Sequence, residues 1–201
     1  MWVKICGVRS VEAALHAQAA GADALGLNLH EPSPRSIPPE VAKAICRATT
    51  IPTYLVIVDP SDLKLRDWLQ YIEPYGVQFH GAQTVEKAAS FGYPYLKAYR
   101  AEPNCVPDLI AQPIKRILLD AFHPHLHGGS GKRVDETLVE EICHHKEVIL
   151  AGGLTPDNVA SIAQRLPIYG VDVASGVENH PGEQNLALIT AFCRAAKEAR
   201  R

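Results

Sequence analysis

With 201 residues, 47% of them hydrophobic and 21% charged, the chain has the balance of an ordinary globular fold with a full core. A formal net charge of -2 and no polybasic run give no footing for a nucleic-acid or anionic-membrane partner. No apolar stretch approaches the roughly 18 residues of a membrane span, and the N-terminus opens into a strand pattern instead of a signal peptide. Five cysteines without a Cys-x-x-Cys pair point to reduced thiols in a cytoplasm, not to a disulfide framework or zinc ribbon.

Short β-rich apolar runs then alternate with amphipathic stretches. The first strand ends at Cys6, and Ser10 caps a helix over 11–20. The second strand ends at Leu29, followed by a long loop over 30–38 and a helix over 39–48. The third ends at Val58, with a helix over 63–71. The fourth ends at His80, and Thr84 caps a helix over 84–90. The fifth ends at Tyr99; its helix, over 106–112, is crowded by Pro103, Pro107 and Pro113. The sixth ends at Asp120, before a second long loop (121–134) and a helix over 138–145. The seventh ends at Ala151, and Thr155-Pro156 supplies an N-cap and a first-turn proline for a helix over 156–165. The eighth ends at Val173, and a last helix runs over 186–199. Eight strand–helix units in one chain predict an α/β fold, a (β/α)8 TIM barrel forming a single domain over 1–201, in preference to an open doubly wound sheet.

In such a barrel, chemistry gathers at the carboxyl ends of the strands. Cys6 stands there on strand one. On position alone a strand cysteine more often just packs. Asp120 ends strand six, and in isolation it reads as a turn or cap residue. Together, across the mouth, they suit one proton acceptor and one proton donor. Gly152-Gly153 after strand seven and Ser175-Gly176 after strand eight let backbone N–H groups approach an anion, with a helix N-terminus expected to help. Loops seven and eight are where barrels often hold phosphate.

Three further features carry less. Gly128-Gly129-Ser130-Gly131-Lys132 has the look of a P-loop but lacks its earlier glycine and its Ser/Thr, which leaves a flexible basic loop. His123, His125 and His127 alternate in that loop without a completing carboxylate or thiolate, so no metal site is expected. Lys97, near the end of strand five, is either a Schiff-base lysine or, more commonly, a barrel lysine paired with a carboxylate.

As a set, these residues resemble the phosphoribosylanthranilate isomerase family of tryptophan synthesis. The matches run from Lys4-Ile5-Cys6-Gly7 through Gly21-Ala22-Asp23-Ala24-Leu25-Gly26, Ser33-Pro34-Arg35 and Gln78-Phe79-His80-Gly81. They continue through Leu119-Asp120, the Gly128–Lys132 stretch, Ala151-Gly152-Gly153-Leu154, and Asp172 with Ser175-Gly176-Val177-Glu178. The resemblance implies a (β/α)8 barrel and an Amadori rearrangement of a small phosphorylated substrate, N-(5-phosphoribosyl)anthranilate, without metal or organic cofactor. It implies Cys6 as general base, Asp120 as general acid and Arg35 on the anthranilate carboxylate. Gly153, Ser175 and Gly176 would hold the phosphate, and His80, Gly129, Gly152 and Asp172 complete the substrate-binding set. It implies a cytoplasmic monomer or homodimer with no nucleic-acid or membrane partner.

The chain departs from the family pattern at Leu27-Asn28-Leu29-His30-Glu31, usually more aromatic, at Arg133 and Ala174, and at Gln184-Asn185, where a lysine and an acid are usual. The nearest rival is the sister isomerase of histidine synthesis, which uses two aspartates; Cys6 stands against it. A catalytically silent phosphate-binding barrel is the rival from another class.

Overall fold

Eight strands close on themselves as a parallel barrel, each hydrogen-bonded to the next and the eighth to the first, in a computed structural model that describes residues 1–102, 104–120 and 136–199. The strands are β1 (Trp2–Cys6), β2 (Ala24–Asn28), β3 (Thr53–Ile57), β4 (Gly76–Phe79), β5 (Tyr95–Arg100), β6 (Arg116–Asp120), β7 (Glu147–Ala151) and β8 (Gly170–Val173). The helices are α1 (Val11–Ala19), α2 (Pro39–Ala48), α3 (Asp62–Ile72), α4 (Val85–Ala89), α5 (Val106–Ala111), α6 (Glu136–Cys143), α7 (Val159–Arg165) and α8 (Leu186–Glu198).

The near-continuous apolar strands follow from burial on both faces. Odd positions such as Val3, Ile5, Leu55, Ile57, Ile117 and Leu119 pack outward against helix residues including Ala14, Ile45, Leu69, Ile142, Ile189 and Phe192. The alternate positions, even-numbered on most strands and odd-numbered on β7, fill the barrel with Ala24, Tyr54, Leu96, Ala98, Leu118, Ile149 and Ala151. That inward parity also carries Lys4, Cys6, Gln78, Asp120 and Asp172 to the interior or its rim. Asp23 closes the ring at the other end: its Oδ2 accepts from Val3 N at 2.7 Å and from Lys197 of α8 at 2.5 Å.

Ser10 and Thr84 cap α1 and α4, accepting from Ala13 N and Lys87 N. Several expected strand ends shift by one residue. Leu29 N and His80 N still donate to Val56 O and Ile57 O at 3.0 Å, so the ladder frays there instead of stopping. The helix expected over 156–165 starts later. Thr155 and Pro156 form a turn in which Asn158 Oδ1 accepts from Thr155 N at 2.8 Å while its Nδ2 donates to Gly153 O at 2.9 Å. The cap chemistry is local to the loop, and α7 begins only at Val159. The helix expected over 138–145 begins earlier, at Glu136. A 3-10 turn (Ser175–Val177) and a small hairpin of β9 (Glu178–His180) and β10 (Glu183–Gln184) were not expected.

Candidate active site

At the carboxyl ends of the strands a cleft of about 1110 Å³ opens. Cys6, Arg35, His80, Asp120, Gly152, Gly153, Asp172 and Ser175 all line it. The order of strands puts β6 three places from β1 by way of β8 and β7, so Cys6 and Asp120 view the cleft from different walls, obliquely across the mouth. Gly129, the Gly128–Lys132 stretch and the three alternating histidines lie outside the described residues.

Cys6 does not stand alone. Lys4 lies one inward position below it on β1, and Asp172 is the register partner of Lys4 on β8. Lys4 is fully buried, and its Nζ donates to Asp172 Oδ1 at 2.8 Å. Burial lowers the Lys4 pKa, but Asp172 and then Cys6 more than offset it and the value is raised, so the ammonium keeps its proton. Burial, and then the Asp172 carboxylate, push the Cys6 thiol up, while Lys4 and the Gly7 N–H act the other way. Gly26 on β2 makes room for this group. A Cβ there would lie 2.7 Å from Cys6 Sγ and 2.9 Å from Lys4 Nζ.

His80 is exposed at the mouth of the cleft, and the loss of bulk water around it, then the cations Lys4, Lys97 and Arg100, lower its pKa to about 4 against the pull of Asp120. Its ring is therefore neutral near pH 7. The Gln78 side-chain amide pairs with His80 Nε2 at 2.5 Å.

Arg35 corrects one expectation in detail. Its Nε and Nη2 donate to the two oxygens of Glu178 at 2.8 and 2.7 Å, so that edge of the fork is taken by a protein carboxylate. A second carboxylate has the Nη1–Nη2 end to meet. Glu178, its carboxylate almost fully enclosed, also accepts from Gly182 N at 3.1 Å. The loop after β2 is thereby tied to the β9–β10 hairpin. Asn28 and Ser33 shape that loop, with Asn28 Nδ2 donating to Ser33 Oγ at 3.1 Å and Arg35 N donating to the same oxygen at 3.2 Å.

The glycine turns are placed as expected, with different support. Gly152 and Gly153 have φ of +95° and +67°, the left-handed region open to glycine. α7 starts only at Val159, while the 3-10 turn (Ser175–Val177) touches loop seven at Leu154. A Cβ at Gly176 would meet Leu154 O at 1.8 Å, so a glycine there lets loops seven and eight touch.

Lys97 departs from the expected carboxylate pairing. Its Nζ donates to Gly81 O at 2.6 Å, burial lowers its pKa, and Asp59 offsets this only at longer range. Among the described residues no cluster of His, Cys, Asp or Glu could hold a metal ion, and no helix is long and apolar enough to cross a membrane. Glu178 as a partner of Arg35, Gly26, and the ion pair of Lys4 were missed from the sequence. Only the inward parity of Lys4 with Cys6 hinted at the last.

A closed (β/α)8 barrel whose strand ends gather a thiol, a carboxylate and a glycine turn in one cleft has the architecture of barrel enzymes that act at the carboxyl face. The family model described as N-(5'phosphoribosyl)anthranilate (PRA) isomerase matches residues 3–195. An N-(5'-phosphoribosyl)anthranilate isomerase from Pelobacter propionicus is 36% identical, covering 98% of this chain and 96% of its own. The crystal structure of phosphoribosyl anthranilate isomerase from Thermotoga maritima superposes with a TM-score of 0.88 at 33% identity, covering 98% of this chain and 99% of that one. A phosphoribosyl anthranilate isomerase solved with reduced 1-(o-carboxyphenylamino)-1-deoxyribulose 5-phosphate gives 0.86 at 30% identity, with the same coverage. The chain belongs to the N-(5'-phosphoribosyl)anthranilate isomerase family, as its motifs implied.

Proposed function

We propose that this chain converts N-(5'-phosphoribosyl)anthranilate to 1-(o-carboxyphenylamino)-1-deoxyribulose 5-phosphate, an Amadori rearrangement in tryptophan synthesis, by general acid–base catalysis. The observation that carries this is the meeting of Cys6 and Asp120 in one cleft with Gly152 and Gly153 of loop seven and Ser175 of loop eight.

Asp120 protonates the furanose ring oxygen. The C1–O bond breaks as the aniline nitrogen's lone pair forms C1=N, leaving a cationic imine. Cys6, as thiolate, takes the C2 proton; the C–H electron pair becomes C1=C2 and neutralises the nitrogen. The enolamine then tautomerises to the ketone. Burial raises the Cys6 thiol, and the cationic imine bound beside it favours the thiolate that takes the proton.

Amides of Gly153 and Ser175 hold the phosphate, since successive N–H groups in turns form an anion site. The free end of the Arg35 fork meets the anthranilate carboxylate. The neutral ring of His80 offers an apolar face to the aromatic ring. The test is direct: purified protein should consume fluorescent phosphoribosylanthranilate and leave the aminoaldose substrate of the histidine-synthesis isomerase unchanged. Turnover of neither would favour a silent binding barrel.

A further inference from the structure

We propose that Lys4 is a positioning residue for the catalytic sulfur: held from the neighbouring strand by Asp172, its ammonium lies against Cys6 and balances the negative charge the sulfur acquires on losing its proton. The assignment rests on the acid–base reading above and adds to it a group that never touches substrate.

Three geometric facts support it. Lys4 and Asp172 are register partners on β1 and β8, both directed into the barrel, and their 2.8 Å contact keeps a fully buried ammonium charged where it would otherwise be costly. The next inward residue up from Lys4 is Cys6. The single glycine facing both, Gly26, would place a Cβ 2.7 Å from the sulfur and 2.9 Å from the ammonium nitrogen, so the two atoms share one small space. A lysine with only a structural role needs its carboxylate partner but not a sulfur beside it.

The charges around the thiol come from several elements. From β1 Lys4 favours the thiolate, and from β8 Asp172 opposes it. Arg35 of the loop after β2, His80 at the end of β4, Lys97 and Arg100 of β5, and Asp120 of β6 line the remainder of the cleft. Among these, the ammonium sharing the space over Gly26 with the sulfur is the cation placed to act on it directly. When the thiolate takes the C2 proton, S–H forms as C2–H breaks and the electron pair passes into C1=C2. Lys4 exchanges no proton in that step; its charge lowers the free energy of the thiolate that begins it.

The experiment reads the sulfur itself, without substrate. The pH dependence of iodoacetamide alkylation of the Cys6 peptide, quantified by mass spectrometry, is compared in wild type, Lys4→Met, Asp172→Asn and Lys4→Met/Asp172→Asn. Lys4→Met should raise the alkylation midpoint by roughly one pH unit or more, about a tenfold loss of thiolate near neutrality. Asp172→Asn should lower it. The double variant should lie above Asp172→Asn, and because it removes both charges it serves if Lys4→Met does not fold. In Lys4→Met the acidic limb of the kcat–pH profile should rise with the midpoint while KM changes less than about threefold, the split expected of a group acting on the chemical step. A double variant titrating like Asp172→Asn, or a Lys4→Met limb that stays in place, would overturn the role. Failure of the acid–base reading looks different: Cys6→Ala would turn over normally while the alkylation shifts remained.

Discussion

Gly26 has no side chain, and the space above it is shared by Cys6 Sγ and Lys4 Nζ. Gly26→Ala must push one of them aside, an overpacking that costs about 1–3 kcal/mol in a close-packed interior. The expected outcome is a folded protein with a lower melting temperature and kcat down by about tenfold or more, checked by thermal melting beside steady-state kinetics. His80 gives a prediction in pH. Its folded pKa is depressed to about 4, so the fold favours the neutral ring. The stability this contributes is whole above the unfolded value near 6.5 and is lost as pH falls from there toward 4. An NMR titration of the His80 ring proton should have its midpoint well below 6.5, and His80→Asn should flatten the stability slope in that window. A midpoint near 6.5 would contradict the geometry drawn for the ring.

At the scale of elements, the strands were legible because both their faces are buried and their apolar runs bounded. Their ends were less so: Leu29 and His80 continue the β pattern and even keep one ladder bond, but the neighbouring strand runs out beside them. Thr155-Pro156 carries the signature of a helix start, yet Asn158 captures the freed amide and carbonyl into a turn that shapes loop seven. Nothing local to Arg35 announces Glu178, which lies 143 positions away and reaches it only because the barrel closes. That pair makes a prediction about the loop after β2. Arg35→Ala should weaken binding of the reduced product analogue by about 1.5–3 kcal/mol, the scale of hydrogen bonds between charged groups. It should also lower stability, since Glu178 is left enclosed without its cation. Arg35→Lys should recover only part of both, because an ammonium cannot supply two edges of a planar fork at once. Calorimetric titration with the analogue, beside thermal melts, checks the pair of effects.

Over the whole molecule, the alternation of inward and outward residues along eight strands does two tasks. It fills the lower barrel with Tyr54, Leu96, Leu118 and Ile149, and it lifts Cys6, Asp120 and Asp172 to the upper rim. The placement of Cys6 and Asp120 at the cleft was legible in the sequence because both stand at strand ends, which a barrel turns toward its mouth. The support beneath them, Lys4 above all, was read only as part of a motif, since a buried ion pair joining the first and last strands depends on closure of the ring. The division of labour between acid and base is tested most directly by the kinetics of Cys6→Ala and Asp120→Asn on phosphoribosylanthranilate. Each should lose about 10²–10⁴-fold in kcat, the usual range for removing a general acid or base, while affinity for the reduced product analogue changes little. Wild-type turnover by either variant would contradict the assignment of these two residues.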